Sequence, residues 1–376
     1  MPRFILALLL AAACSPWLLA EEPIRLGLFA SLTGREAAFG QMTRRGADFA
    51  VEELNAAGGV LGRPVALLTE DTRSQPGEAA TAAKNLAARD KVAAILNGTG
   101  SAAALEAAPV CQAAGVPFVA ATATNPDVTR AGSFVFQTCF TDPFQGTVLA
   151  RFAARTLGAR RVAVLVSTGN PYSVGLAKYF RARFTAAGGE IAAEGRYAEG
   201  DRDFRAQLTA LKARQPDAIF ASGNYSESAL ICRQARELGF AGPIFGGDTW
   251  DTPALAEIGG PAVEGAYFTG HFAPDSTAAR ARDFVRRFRA RWGTAPDTGT
   301  SLGYEAVMVL ADALRRAGST EGKKLRDALA ATRDFAGVTG RITMDASRTA
   351  AKSAVIFVVR DGRPVFKEIV GPEDSL

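Results

Sequence analysis

Short apolar runs alternate with longer amphipathic stretches along most of this chain. The first apolar run is Ile24–Phe29, and Gln41–Ala57 then carries alanine, valine and leucine on one face before it stops at Gly58-Gly59. Short apolar runs between turn residues are typical of buried strands, whereas the spacing in Gln41–Ala57 is typical of a helix. Because this alternation continues, it predicts right-handed βαβ units and parallel sheets.

The alternation falls into two series of similar length, one before and one after Asp142. Two such series predict two lobes. Two strongly amphipathic stretches follow, Thr277–Trp292 and Thr300–Ala317, and Asp361-Gly362 between two apolar runs is a strong hairpin signal. If those helices return to the first lobe and the hairpin joins the second, the chain crosses between the lobes several times. Several crossings form a hinge that bends without unravelling either core.

The stretch from Ala94 to Thr129 changes from strand to loop to helix twice. Ser101 opens an alanine-rich helix, and Thr122 and Thr124 follow the next strand, ahead of Asn125-Pro126 as a second helix start. A helix N-terminus offers unpaired N–H groups and a partial positive charge, which stabilise a bound carboxylate by about 0.3–2 kcal/mol. Two helix starts at the carboxyl ends of parallel strands predict half of a ligand site.

Aromatic residues occupy loops that follow other strands of the two series. They are Phe39, Tyr172 and Tyr225, and Trp250 beside Asp248 is a fourth. Core packing is the alternative for any one of them, but together at one edge they form the apolar walls of a cleft. A carboxylate at Asp248 would be partly desolvated and costly without a cation, which a ligand ammonium provides. The alternative is that Asp248 caps the short helix 252–258 or its preceding turn.

The N-terminal segment differs from everything after it. Arg3 precedes the apolar run Phe4–Ala13, and polar residues follow Ala20, which predicts an export signal over residues 1–20 and an extracytoplasmic mature protein. Ala11-Ala12-Ala13-Cys14 also resembles a lipobox, so a lipoprotein anchored through Cys14 is the alternative to cleavage after Ala20. No other segment reaches the roughly 20 apolar residues that a membrane span requires.

Charge and cysteine content narrow the class of protein further. The net charge of +5 over 376 residues is small and scattered, so we expect no nucleic-acid partner. Cys111, Cys139 and Cys232 stand in apolar surroundings and are interpreted as buried structural cysteines. A disulfide between Cys111 and Cys139 is possible, but the spacing of the cysteines cannot decide whether it forms.

Motifs for catalysis and for cofactor binding are incomplete. The stretch Gly98–Ala103 fits G-x-G-x-x-A, but the acidic residue expected about twenty positions on is missing. His271 is the only histidine, which we interpret as structural, and no G-x-S-x-G elbow or clustered metal ligands occur in the sequence. The sequence therefore predicts a protein that is not an enzyme and needs no cofactor or metal.

Segments along the whole chain share a pattern with one known family. They are TGREAAFGQMTRRGADFAVEELNAAGGVLGRPVALLTEDTRSQPGEA, SAAALEAAPVCQAAGVPFVAATATNPDVT, FTDPFQG, GNPYSVGLA, FGGDTWD, GYEAV and GVTGRITMD. In this order they resemble the leucine/isoleucine/valine-binding type of periplasmic solute receptors, which feed ABC importers. The resemblance implies a type I periplasmic-binding fold, in which two Rossmann-like α/β lobes with parallel sheets, joined by a three-crossover hinge, enclose the ligand.

The resemblance also implies roles for single residues. Ser101 matches the serine that binds the ligand carboxylate, and Thr124 matches the threonine two places after a carbonyl that receives the ligand ammonium, here that of Thr122. Phe39 and Tyr172 match aromatic positions in the wall of the family's ligand site. A second-lobe tyrosine of the family aligns at Asn224 or Tyr225, and the ammonium-binding glutamate aligns nearest Thr249, with Asp248 one residue before it. These departures leave the preferred ligand side chain open.

We therefore expect a periplasmic, monomeric receptor that captures a small amino acid, branched-chain or similar aliphatic or aromatic, and delivers it to an ABC importer permease. The expected division is a signal peptide at 1–20, a first lobe of 24–140 plus 272–348, and a second lobe of 141–271 plus 349–376. The same fold binding an amide, a urea or an aromatic acid, or acting as a periplasmic sensor, is the alternative.

Overall fold

A computed structural model describes residues 22–372 of the chain. The expected export signal at residues 1–20 and the alternative anchor at Cys14 lie outside the described residues. None of the helices within 22–372 combines the length and the apolar character that crossing a membrane requires.

The first sheet consists of five parallel strands. They are β1 (Ile24–Ala30), β2 (Val65–Asp71), β3 (Ala94–Asn97), β4 (Phe118–Ala120) and β5 (Val135–Gln137). Their order is β2-β1-β3-β4-β5, so the strand order reverses beside β1. Such a switch point leaves a crevice outside the carboxyl ends of β1 and β3, where α/β sheets bind ligands.

The second sheet is larger and mixed. Its strands are β6 (Arg161–Ser167), β7 (Glu190–Tyr197), β8 (Ala218–Ala221), β9 (Ile244–Gly246), β10 (Tyr267–Gly270), β13 (Ala354–Arg360) and β14 (Arg363–Val370). The order is β14-β13-β10-β9-β8-β6-β7, with β6 to β10 parallel and the last two strands antiparallel. Its switch point lies between β6 and β8.

Helices cover both faces of each sheet. Their bounds are α1 (Ala37–Ala56), α2 (Glu78–Lys84), α3 (Ser101–Ala114), α4 (Asp142–Arg151), α5 (Pro171–Ala186), α6 (Arg205–Lys212), α7 (Tyr225–Glu237), α8 (Pro253–Gly259), α9 (Ala279–Trp292), α10 (Thr298–Ala317) and α11 (Gly322–Ala330). Short π-helical turns extend α2 over Asn85–Arg89 and α4 over Phe152–Thr156.

Successive side chains of each strand point to opposite faces of its sheet. Leu26 and Leu28 of β1 belong to a core with α1 and α10, whereas Phe29 packs into a separate core under α2 and α3. In β6, Leu165 faces α6 to α8, and Val164 faces α4 and α5. This layering confirms the predicted two-lobed α/β architecture with parallel sheets.

The chain passes between the two sheets three times within the described residues. It leaves the first sheet after β5, returns after β10 with α9 to α11, and leaves again after the two-stranded ribbon β11 (Phe335–Ala336) and β12 (Arg341–Ile342). Phe284 and Leu310 of the returning helices share the core of Leu26. At the third crossing, Lys352 forms a buried ion pair with Glu305 of α10.

Most element predictions hold, and one differs. The hairpin at Asp361-Gly362 is confirmed, because both residues have positive φ and join β13 to antiparallel β14. The second helix start at Asn125-Pro126 is wrong: only a short 3-10 turn, Val128–Ala131, follows. The turn stays short because Gly132, directly after it, has a φ of 151°, which lies outside the helical region.

The cysteine prediction is also settled for the described residues. Cys111, Cys139 and Cys232 are buried and free, so the possible Cys111–Cys139 bridge does not form. Burial raises the pKa of the Cys111 and Cys232 thiols to about 12, which keeps both thiols protonated at neutral pH.

Two glycines set the distance between α1 and α10. A Cβ on Gly46 of α1 would overlap the Thr300 carbonyl, and a Cβ on Gly303 of α10 would overlap the Thr43 carbonyl. The two backbones therefore touch directly, and α1 is held where its N-terminus reaches the edge of the first sheet.

We expect Gly46→Ala to destabilise the protein by about 1–3 kcal/mol, because the added methyl group has no room at this crossing. In an exposed helix the same change would stabilise by roughly 1 kcal/mol. Urea unfolding measures the difference, with Arg44→Ala on the exposed face of α1 as the control. Equal or greater stability of Gly46→Ala would contradict the close packing of α1 on α10.

Candidate functional site

The carboxyl ends of the parallel strands in the two sheets face each other across a cleft. Three hydrogen bonds cross it: Asn125 Nδ2 donates to the Pro171 carbonyl at 3.2 Å, Asn224 Nδ2 donates to Glu36 at 2.8 Å, and the Tyr225 hydroxyl donates to the Arg35 carbonyl at 2.6 Å. Each donor or acceptor follows the end of a strand. The crevices at the two switch points therefore open onto one shared space.

The first wall of the cleft is the loop between β3 and α3. Asn97 Nδ2 donates to the Thr99 carbonyl at 2.5 Å, and the Thr122 hydroxyl donates to the same carbonyl at 2.7 Å. The Thr99 hydroxyl lies 3.1 Å from the Ser31 hydroxyl that follows β1. These contacts fix the backbone that leads into Ser101, the first residue of α3.

Ser101 and Thr124 lie together on this wall, as the sequence predicts. Ser101 is buried, and its Oγ accepts a hydrogen bond from the Asn125 N–H at 3.2 Å. The Ser101 hydroxyl proton and the first N–H groups of α3 remain donors at a helix N-terminus, which favours an anion. Thr124 is buried beside it, and its carbonyl accepts the Asp142 N–H at 2.8 Å at the first crossing.

The second wall is formed by the starts of α5 and α7. Asn170 caps α5 by accepting from the N–H groups of Tyr172 and Ser173, with Pro171 between them, so Tyr172 stands in the first turn. Asn224 and Tyr225 stand at the start of α7 after β8. The structure therefore brings Tyr172, Asn224 and Tyr225 to the edge of the second sheet that faces Ser101.

Asp248 lies behind this wall and is enclosed by donors. Its Oδ1 accepts from Gln145 Nε2 at 2.7 Å and from the Tyr172 hydroxyl at 2.8 Å, and its Oδ2 lies 3.1 Å from His271 Nε2. Burial alone would raise the pKa of Asp248, but the hydrogen bonds from His271, Gln145 and Tyr172 outweigh it and lower that pKa. Asp248 is therefore a carboxylate whose charge is already stabilised.

This arrangement corrects two steps of the sequence argument. The premise that Asp248 would lack a partner without a ligand cation is wrong, because Gln145, Tyr172 and His271 supply three donors. The capping alternative is wrong as well, since Thr252 caps α8 and the preceding turn Asp248–Trp250 has no side-chain cap. A direct ligand contact of Asp248 stays a prediction.

His271 has the structural role that the sequence predicts. Its ring stacks on Phe140 with 3.6 Å between the centroids, and its side chain is fully buried. Burial lowers the pKa of His271, although Asp248 opposes this, so the imidazole stays neutral where an exposed histidine would be charged.

Two of the predicted wall aromatics, Trp250 and Phe39, are buried side chains. Trp250 is completely buried in the core with Leu165 and Phe357, and its Nε1 donates to the Gly223 carbonyl at 3.1 Å. The indole thus supports the loop before Asn224 from behind. Phe39 is buried in the first turns of α1. Ligand contacts of Trp250 and Phe39 stay predictions.

Sequence reasoning missed Glu36, which lies inside the cleft. Its Oε2 accepts from the Thr99 hydroxyl at 2.8 Å, and its Oε1 accepts from Asn224 at 2.8 Å. Gln145, with two donated hydrogen bonds to Asp248 and Thr269, was also missed. Glu36 offered one signal: it is an acidic residue in the loop directly after the first strand, where ligand-binding residues concentrate.

Within residues 22–372, no group of three or more histidine, cysteine or acidic side chains could hold a metal ion. The site that this part of the chain presents is a cleft with a helix N-terminus, hydroxyl groups and one acidic side chain on the first wall, and aromatic and amide groups on the second. Such an arrangement can bind a small polar molecule between two lobes.

Comparison with known proteins agrees with this geometry. The model of the periplasmic binding protein family matches residues 23–363. The Leu/Ile/Val-binding protein BraC3 of Rhizobium johnstonii is 32% identical over 331 residues, which are 86% of this chain and 88% of the relative.

Two solved structures are similar over nearly their whole length. The leucine-binding protein LivK of Thermotoga maritima is 41% identical with a TM-score of 0.90, covering 93% of this chain and 99% of that one. LivJ of Streptococcus pneumoniae in complex with isoleucine is 32% identical with a TM-score of 0.88, covering 93% and 100%.

The neutral His271 predicts a pH dependence of stability. The folded protein excludes a proton that the unfolded histidine binds below about pH 6.5, so the free energy of unfolding falls as the pH drops below this value, by at most about 1.4 kcal/mol per pH unit. We expect wild type to lose this stability relative to His271→Gln, whose amide cannot titrate. Urea unfolding of both proteins at pH 7 and 5 measures it.

The chain contains one histidine, so the difference between the two proteins belongs to this side chain. Asp251, whose pKa burial raises to about 7, titrates in the same range in both proteins and cancels. Parallel pH profiles would contradict the neutral state of His271.

Proposed function

The chain belongs to the periplasmic binding protein family, and we propose that it is an extracytoplasmic receptor that captures a small amino acid between its two lobes. Branched-chain amino acids are the first choice, with similar aliphatic or aromatic ones next, because relatives of 32% and 41% identity are Leu/Ile/Val-binding and leucine-binding proteins. The receptor then delivers its ligand to the membrane permease of an ABC importer.

One observation carries this proposal: the N-terminus of α3 opens into a cleft whose opposite wall comes from the other sheet. Ser101 and the first N–H groups of α3 supply donors for a carboxylate without any lysine or arginine. Aromatic and amide side chains at the starts of α5 and α7 face them. A ligand held by both walls stabilises the closed arrangement, which is what a capture protein requires.

The roles proposed for the cleft follow from position. Ser101 binds the ligand carboxylate through its hydroxyl and N–H, with Thr124 beside it, and the Thr122 carbonyl accepts from the ammonium. The ligand side chain lies among Phe39, Tyr172, Asn224 and Tyr225, with Trp250 supporting this wall. Asp248 contributes by orienting Tyr172 through the 2.8 Å hydrogen bond.

We further propose the boundaries of the two lobes and the location of the protein in the cell. The first lobe comprises residues 24–140 plus 272–348 and the second 141–271 plus 349–376, with residues 1–20 as the export signal. The protein acts in the periplasm as a monomer, without catalysis, cofactor or nucleic acid.

We expect Ser101→Ala to weaken amino-acid binding by roughly ten- to a hundredfold. Loss of one hydrogen bond to a charged group typically costs about 1.5–3 kcal/mol, while the N–H groups of α3 retain part of the affinity. Calorimetric titration of both the wild type and Ser101→Ala with leucine, valine and isoleucine measures the change in affinity. Ser133→Ala, an exposed serine before β5, is the matched control. Equal affinities in Ser101→Ala and wild type would falsify the role of Ser101.

We expect ligand binding to close the lobes as rigid bodies about the crossings near Phe140–Asp142, Thr269–Phe272 and Asp345–Lys352. Small-angle X-ray scattering at saturating leucine should give a smaller radius of gyration than scattering without ligand. Ser101→Ala, at a leucine concentration that saturates the wild type but not the variant, serves as the control. An unchanged profile for the saturated wild type would count against lobe closure.

A further inference from the structure

We propose that Glu36 is the acidic side chain that receives the ligand ammonium, and that it makes the receptor specific for α-amino acids over their ammonium-free analogues. This inference rests on the proposed function, because it assigns the second charge of the same ligand. Four features carry it: the place of Glu36 in the two sheets, its hydrogen-bond partners, the state of the other acidic side chain, and its distance from the carboxylate anchor.

Glu36 connects the two switch points. It lies in the loop from β1 to α1, and its partner Thr99 lies in the loop after β3, so both stand at the reversal of strand order in the first sheet. Its other partner, Asn224, follows β8 at the reversal in the second sheet. These crevices are where α/β sheets bind ligands, and Glu36 reaches both of them.

The donors that Glu36 meets are neutral. The Thr99 hydroxyl and the Asn224 amide each donate at 2.8 Å to a different carboxyl oxygen. The charged groups around it are Arg35 on the same loop and Glu199 and Glu227 from the second lobe. Arg35 also forms an ion pair with Glu199 at 3.6 Å. Burial raises the pKa of Glu36, so a cationic ligand group beside this carboxyl would stabilise its ionised form.

Asp248 is differently placed. Both of its oxygens are taken by donors from three parts of the second lobe and the hinge, and its side chain is 2% exposed. Glu36 is only partly buried, and its two hydrogen bonds come from the walls of the cleft itself. A ligand cation can therefore reach Glu36 without displacing a buried network.

The carboxylate anchor and Glu36 are close enough for one amino acid to contact both. A Cβ on Gly100 would lie 3.9 Å from each carboxyl oxygen of Glu36, and the next residue is Ser101. A carboxylate bound at Ser101 would be repelled by Glu36 unless a positive group of the same molecule lies between them. The α-ammonium of an amino acid, bonded to the carbon that carries the carboxylate, meets that requirement.

The test compares leucine with 2-hydroxy-4-methylpentanoate, in which a hydroxyl replaces the ammonium. Calorimetry on the full mature chain measures both affinities in wild type, Glu36→Gln and Asp248→Asn. We expect Glu36→Gln to weaken leucine binding by roughly ten- to a hundredfold and the hydroxy acid much less, so that the preference for leucine is lost. Asp248→Asn should keep the preference even where it lowers the melting temperature.

Glu321→Gln at the exposed start of α11 is the matched control, and thermal melts establish that every variant is folded. If Glu36→Gln weakens both compounds equally, Glu36 acts only by closing the cleft on Asn224, and the inference is wrong. Retention of the preference in Glu36→Gln with its loss in Asp248→Asn would assign the ammonium to Asp248 and overturn it too. A wild type that binds no amino acid would instead refute the proposed function.

Discussion

The buried carboxylate of Asp248 is the charge around which the second wall of the cleft is built. It accepts hydrogen bonds from Gln145 of α4, from Tyr172 of α5 and from His271 at the crossing after β10. A buried carboxylate without such donors would cost several kcal/mol, so these segments must meet at one point. The meeting point fixes the Tyr172 side chain in the first turn of α5 and ties the hinge to the second sheet.

This network separates two acidic groups that the same cleft could use. Asp248 is satisfied inside the protein and serves to position its neighbours, whereas Glu36 lies between the two walls and takes its hydrogen bonds from both. The close packing of α1 on α10 holds the start of α1, and with it Glu36, at the edge of the first sheet. Stability and ligand recognition therefore depend on different carboxylates.

Local pattern was enough to predict most of the strands and helices, Ser101 at a helix start and the hairpin at Asp361-Gly362. Each of these depends on residues close together in the chain. The partners of Asp248 could not be predicted, because Gln145 is 103 residues away from it and no periodicity connects them. Glu36 escaped notice for the same reason: its partner Asn224 lies 188 residues further on. In the sequence alone it resembles a surface charge before a helix.

The central claim is that one α-amino acid is held between the two sheets, with its carboxylate on α3. A crystal structure with the amino acid that raises the melting temperature most tests it directly. The account predicts electron density in the cleft, with the ligand carboxylate within hydrogen-bond distance of the Ser101 N–H and hydroxyl, and residues of both lobes in contact with the ligand. A ligand bound outside the cleft, or one whose carboxylate points to the second sheet, would contradict it.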